Sequence, residues 1–191
     1  EVRSFAQQLL SLIMFLYFVE KKGWLKWKDY VQDKKYIRNL WVKYKKFKPR
    51  DDTFYSHWLS VLFFKGFQGP GKHAYIHNDL NLPQEIKESF VAMPFLNGGL
   101  FTENELDKIG FDVPDEIFKL LFEIDADDKR KGFLERYNFT IREDTPLDVE
   151  VAVDPEMLGK VYESLISEEE RGKAGIFYTP RTEIDYMCGL S

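Results

Sequence analysis

The chain has 191 residues, 44% of them hydrophobic and 16% aromatic, with a formal net charge of −5. That length and apolar content can bury a core and exclude a disordered tail. The single cysteine, Cys188, excludes an internal disulfide and fits a reducing, cytoplasmic setting. The charge is unevenly placed: residues 1–50 hold 13 Lys/Arg against 4 Asp/Glu, leaving 14 against 28 for the remainder. A basic part joined to an acidic one points to a polyanion-facing surface.

In chain order, Val2 to Val19 is expected to be a buried helix ended by Gly23. Its uninterrupted apolar part, Leu9 to Val19 apart from Ser11, covers about half the ~20 residues of a membrane span, so no membrane role is expected. No signal peptide is expected either, and a first residue Glu1 suggests an excised piece. Trp27 to Phe47 is expected to be a basic helix, with Tyr30, Ile37, Leu40, Trp41 and Tyr44 forming one apolar stripe. Lys34, Lys35, Arg38, Lys43, Lys45 and Lys46 fall largely off that stripe and are the candidate contacts to DNA phosphates. The alternative for them is a solvated charged face.

Asp52 is expected to cap a core-facing helix from Thr53 to Phe64, followed by a glycine- and proline-rich loop, residues 66–71. His73 and His77 have helical ligand spacing, but Gly71 and Asn78-Asp79 make two loop histidines the expectation, with no metal. Short helices are expected from Leu82 to Ala92, Glu103 to Lys108 and Asp115 to Glu123, with a tight turn at Gly98-Gly99. Asp125 to Asp128 lacks the ligand alternation of a calcium loop.

Alternating apolar positions at Phe139 and Ile141, and again at Val149, Val151 and Val153, with Thr145-Pro146 between them, predict a β-hairpin or small two-stranded sheet. Leu158, Val161, Tyr162 and Leu165 then predict a long helix, followed by a polar linker over residues 167–174. In Gly175-Ile176-Phe177-Tyr178-Thr179-Pro180-Arg181, Thr179 is a good N-cap and Pro180 a good first helical residue. Ile184, Met187 and Cys188 would give the ensuing helix an apolar face on which Cys188 is buried. A helix start of this kind can receive a carboxylate or phosphate.

The expected fold is mainly α: an irregular helical bundle with a small β-hairpin near the C-terminal third. Residues 1–132 form the bundle, 133–174 the hairpin, long helix and linker, and 175–191 a final segment opening another domain.

Residues 151–165, reading VAVDPEMLGKVYESL, together with GIFYTPR at 175–181, resemble the segment ahead of the catalytic domain in adenine-specific DNA methyltransferases of restriction–modification systems. The closest likeness is to type IIG enzymes, which fuse restriction and modification in one chain. Phe95-Leu96-Asn97-Gly98-Gly99-Leu100-Phe101 and Tyr137-Asn138-Phe139-Thr140 also look like that family's helical region. The resemblance is stronger over residues 133–190 and weaker in the first half. It implies that Phe177, Tyr178, Thr179 and Pro180 are motif X, lining an S-adenosylmethionine pocket.

The family's glycine-rich cofactor loop and its Asn-Pro-Pro-Tyr/Phe tetrapeptide are absent from these residues and would be expected beyond Ser191. The resemblance therefore implies one wall of a cofactor site with no catalytic residue in this chain. The implied partners are double-stranded DNA, a catalytic methyltransferase domain and a fused nuclease. The alternative is a non-catalytic module that binds DNA or bridges domains without touching cofactor. No nuclease centre is read: the Glu-x-Lys near Pro114-Asp115, Glu85-Ile86-Lys87, precedes it rather than follows it.

Overall fold

Val2–Lys21 forms α1, whose 20 residues bury Phe5, Leu9, Leu12, Ile13, Leu16, Tyr17 and Val19 along one side. The computed structural model describes residues 2–27, 35–47, 50–96, 101–123, 132–136, 138–139, 152–153 and 181–189. By length and composition α1 is long and apolar enough to cross a membrane, more than its central apolar run suggested. Here its inward side chains pack on protein instead: the Phe5 ring meets Tyr55 and Phe111 edge-on, at 5.2 and 5.4 Å between centroids. Gly23, at φ +71°, ends the helix. Its N–H donates to the Glu20 carbonyl and the Trp24 N–H reaches back to that of Val19, a Schellman closure that glycine's left-handed freedom permits.

Contacts divide the chain into two units, Glu1–Arg136 and Tyr137–Ser191. In the first, α2 (Tyr36–Phe47) begins later than the expected Trp27 and buries Ile37, Leu40, Trp41 and Tyr44 of the expected stripe, whose Tyr30 lies outside the described residues. The segment after it is helical but not regularly α. Phe54–Leu59 and Leu62–Gly66 are π-helical turns, burying Phe54, Tyr55, Trp58, Leu59, Leu62, Phe63 and Phe64. The wider π turn re-aims side chains that an α spacing would distribute differently. Phe54 becomes the centre of an aromatic cluster, with Trp41, Tyr44 and Phe118 each 5.0 Å away between ring centroids. Such ring pairs add about 0.5–1.5 kcal/mol each beyond area burial.

The remaining described helices of this unit are α3 (His73–Asn78), α4 (Gln84–Val91), α5 (Glu105–Lys108) and α6 (Asp115–Phe122). Asn104 closes a capping box on α5, exchanging side-chain and backbone hydrogen bonds with Asp107. Asp52 does not cap the helix that follows it, contrary to the sequence expectation. It sits at φ +59° and its carboxylate accepts the backbone N–H of Asp115, 2.7 Å away. It therefore caps α6, because the turn at residues 50–53 folds beside that helix start rather than along its own chain.

In the second unit the described elements are β1 (Asn138–Phe139), β2 (Ala152–Val153) and α7 (Arg181–Gly189). The two strands pair in parallel, Asn138 with Ala152 and Phe139 with Val153. This overturns the β-hairpin: a hairpin joins antiparallel neighbours, whereas parallel strands require a crossover between them. The mainly helical expectation holds.

Candidate nucleic-acid interface

The lysines of α2 are sorted by the helix period. With Ile37, Leu40, Trp41 and Tyr44 facing inward, Lys43 and Lys45 flank the buried stripe on opposite sides, and Lys46 points away from it. Lys43 forms an ion pair with Glu85 of α4, and its ammonium lies 5.0 Å from the Trp27 ring centre. Lys45 pairs with Glu123, just past α6, at 2.5 Å and stands 5.7 Å from the Trp41 ring centre. The Trp41 indole N–H donates to the same Glu123 oxygen at 3.0 Å. Burial alone would raise the Glu123 pKa, but the hydrogen bonds from Lys45 and Trp41 outweigh it and hold the carboxyl below its ordinary value.

These two lysines therefore tie α2 to its neighbours. Each pair is partly exposed and contributes about 0–1 kcal/mol, yet each also compensates one positive charge. Lys46 is exposed and has no ion pair among the described residues, Lys35 is exposed just ahead of the helix, and Arg38 is half-buried with its charge acting on the Tyr17 phenol. Lys34 lies outside the described residues. The sequence-derived basic group thus separates: Lys46 is outward, Lys43 and Lys45 are tied to neighbouring elements, and Arg38 is half-buried. Glu85 and Glu123 were not legible as their partners, lying 42 and 78 residues away in sequence.

Phe177, Tyr178, Thr179 and Pro180 lie outside the described residues, as do Gly98 and Gly99. Helix α7 begins at Arg181, immediately after Pro180, and carries Glu183 in its first turn. Tyr186 and Met187 are exposed, Ile184 is 43% exposed, and Cys188 is exposed rather than buried. The apolar spacing read correctly as helical, but it does not pack Cys188 into the fold.

His73 and His77 stand on α3 rather than in a loop, because the preceding Pro70–Lys72 turn leads directly into it. Burial and the neighbouring His77 lower the His73 pKa. Among the described residues no three His, Cys, Asp or Glu side chains converge as metal ligands.

No family profile and no solved structure matches the chain. The chain is 28% identical over 196 aligned positions to a Methanocaldococcus jannaschii protein named "Putative type II restriction enzyme and methyltransferase". The match covers 97% of this chain but only 14% of that relative's length. The chain is thus related, nearly end to end, to one part of a restriction–modification protein.

Proposed function

We propose that these residues form the helical, DNA-facing scaffold and one cofactor wall of an S-adenosylmethionine-dependent DNA adenine-N6 methyltransferase in a restriction–modification system. The near end-to-end similarity to the M. jannaschii protein carries this reading. The Gly175–Arg181 run supports its methyltransferase part. In this reading Lys35, Arg38 and Lys46, with Lys34 ahead of them, meet duplex phosphates without choosing sequence. Phe177, Tyr178, Thr179 and Pro180 line the cofactor, and Thr179 with nearby backbone N–H groups holds its carboxylate at the start of α7, where the helix dipole favours an anion. The bound cofactor supplies an already activated methyl sulfonium, leaving the protein the task of alignment. Glu183 in the first turn of α7 offsets part of that positive end, so Thr179 and the backbone amides carry the contact.

Duplex binding by the chain, measured against salt concentration, tests the DNA part. Lys46→Ala and Lys35→Ala should each shrink the slope of log K on log[salt] by about 0.9, while Lys43→Ala and Lys45→Ala leave it nearly unchanged. Absence of binding at low salt rejects a DNA-facing role. The cofactor part is tested by calorimetry on a protein in which a catalytic domain follows this chain. There Thr179→Ala should weaken S-adenosylmethionine binding roughly tenfold, through loss of a charge-assisted hydrogen bond. The internal engagement of Lys43 and Lys45 favours a second reading, a bridging module that contacts no cofactor. Unchanged affinity in Thr179→Ala would select it.

A further inference from the structure

Residues 53–78 contain no Asp or Glu, although the chain beyond residue 50 is strongly acidic overall. The stretch ends on α3, where Tyr75 is 63% exposed. Two ammonium groups stand over its ring, Lys65 at 5.3 Å and Lys72 at 5.9 Å from the centre. Lys65 also reaches Glu103 at 3.3 Å, whereas Lys72 is exposed and has no ion pair. A second ring, Phe95, is 61% exposed. It lies against Gly69, where an added Cβ would come within 2.9 Å of it. Gly69 is three residues before Lys72. An exposed aromatic face under two ammonium groups, on a stretch of chain without acidic residues, matches one ligand chemistry, a base with its flanking phosphates.

We propose that Tyr75, with Lys65 and Lys72, forms a second nucleic-acid contact that takes an unpaired, single-stranded segment. A base stacks on the Tyr75 ring while the lysines move from the ring to the adjoining phosphates. The exchange is favourable because an exposed cation–π contact is weaker than base–aromatic stacking, and each neutralised phosphate releases counterions. A paired duplex base cannot reach the ring, which separates this surface from the phosphate-facing α2.

This inference rests on the nucleic-acid reading above, and its test keeps the two apart. Binding of the chain to a fluorescein-labelled oligothymidine and to a labelled duplex is measured by anisotropy at low salt. Tyr75→Ala should weaken oligothymidine binding about tenfold and leave duplex binding unchanged, with Tyr75→Phe retaining wild-type affinity. Lys72→Ala should weaken oligothymidine binding and its salt dependence together. Wild-type oligothymidine affinity in both alanine variants overturns the inference, and it leaves the α2 reading intact if Lys46→Ala still weakens the duplex. Equal losses on duplex and single strand also overturn it, since the surface is then a general phosphate contact. If the wild-type chain binds neither probe, both readings fall. Tyr75 and Lys72 are exposed, so the variants should retain the wild-type circular dichroism.

Discussion

The buried carboxylate of Glu20, in the last turn of α1, accepts the backbone N–H of Ile37 in the first turn of α2 at 2.9 Å. It thereby satisfies one of the orphan donors at the start of α2 and lies favourably in its dipole. One side chain thus ties the end of α1 to the start of α2.

Glu20→Ala should therefore destabilise the protein by about 2 kcal/mol, the usual scale for a lost cap made by a charged acceptor. Urea unfolding followed by circular dichroism measures this. Lys22→Ala, at an exposed position nearby, should stay within about 0.5 kcal/mol of wild type. Equal effects from the two variants would remove Glu20 from this role.

Tyr44 joins three parts of the first unit through one hydroxyl. It accepts the Thr53 backbone N–H at 3.0 Å and donates to the Asp115 carboxylate at 3.0 Å. Thr53 is fully buried, so Tyr44→Phe strands its N–H without water. The expected cost is about 1–3 kcal/mol, or roughly 2–4 °C in Tm per kcal/mol. Calorimetric melting reads it; an unchanged Tm would mean that another acceptor reaches Thr53.

Acid should loosen α2 from the end of α6. The Glu123 pKa is lower folded than unfolded, so the folded state binds fewer protons there. Its stabilisation is present above the ordinary glutamate value of 4.5 and is lost as pH falls through the folded value. Glu123→Gln should flatten the decline in stability below pH 4.5, measured by urea midpoints across an acid series. A decline parallel to wild type would refute the linkage.

Gly132 has no room for a side chain. A Cβ there would come within 2.5 Å of the Leu121 carbonyl oxygen, a backbone atom that no rotamer change can move. Gly132→Ala should cost about 1–3 kcal/mol by overpacking and pull the Leu134–Arg136 turn from α6. The Tyr17 hydroxyl, which donates to Glu135 at 2.9 Å, reports the movement. Hydrogen exchange after Gly132→Ala should rise around residues 132–136; wild-type protection there contradicts the prediction.

Local signals carried much of the helical reading. Gly23 marked the end of α1, and Asp115 to Glu123 came within a residue of α6 because apolar period and terminal residues both act within one turn. Where partners are distant, such signals were silent or misleading. Alternation at Phe139 and Val153 indicated extended chain but not its direction of pairing, which proved parallel. Gly71 and Asn78 suggested loop histidines, yet the six residues His73–Asn78, Asn78 itself included, form α3. Nothing near Asp52 announces that it caps a helix 63 residues away.

The sequence by itself determined that the chain is mainly helical, that one helix is basic and that Ile37, Leu40, Trp41 and Tyr44 share its apolar stripe, because helix periodicity is a property of neighbours. Only the tertiary structure decided which cations remain outward. Lys43 and Lys45 meet Glu85 and Glu123 across the fold, and Lys72 settles over Tyr75. Charge compensation depends on what lies within a few ångströms in space, and chain order does not encode that distance.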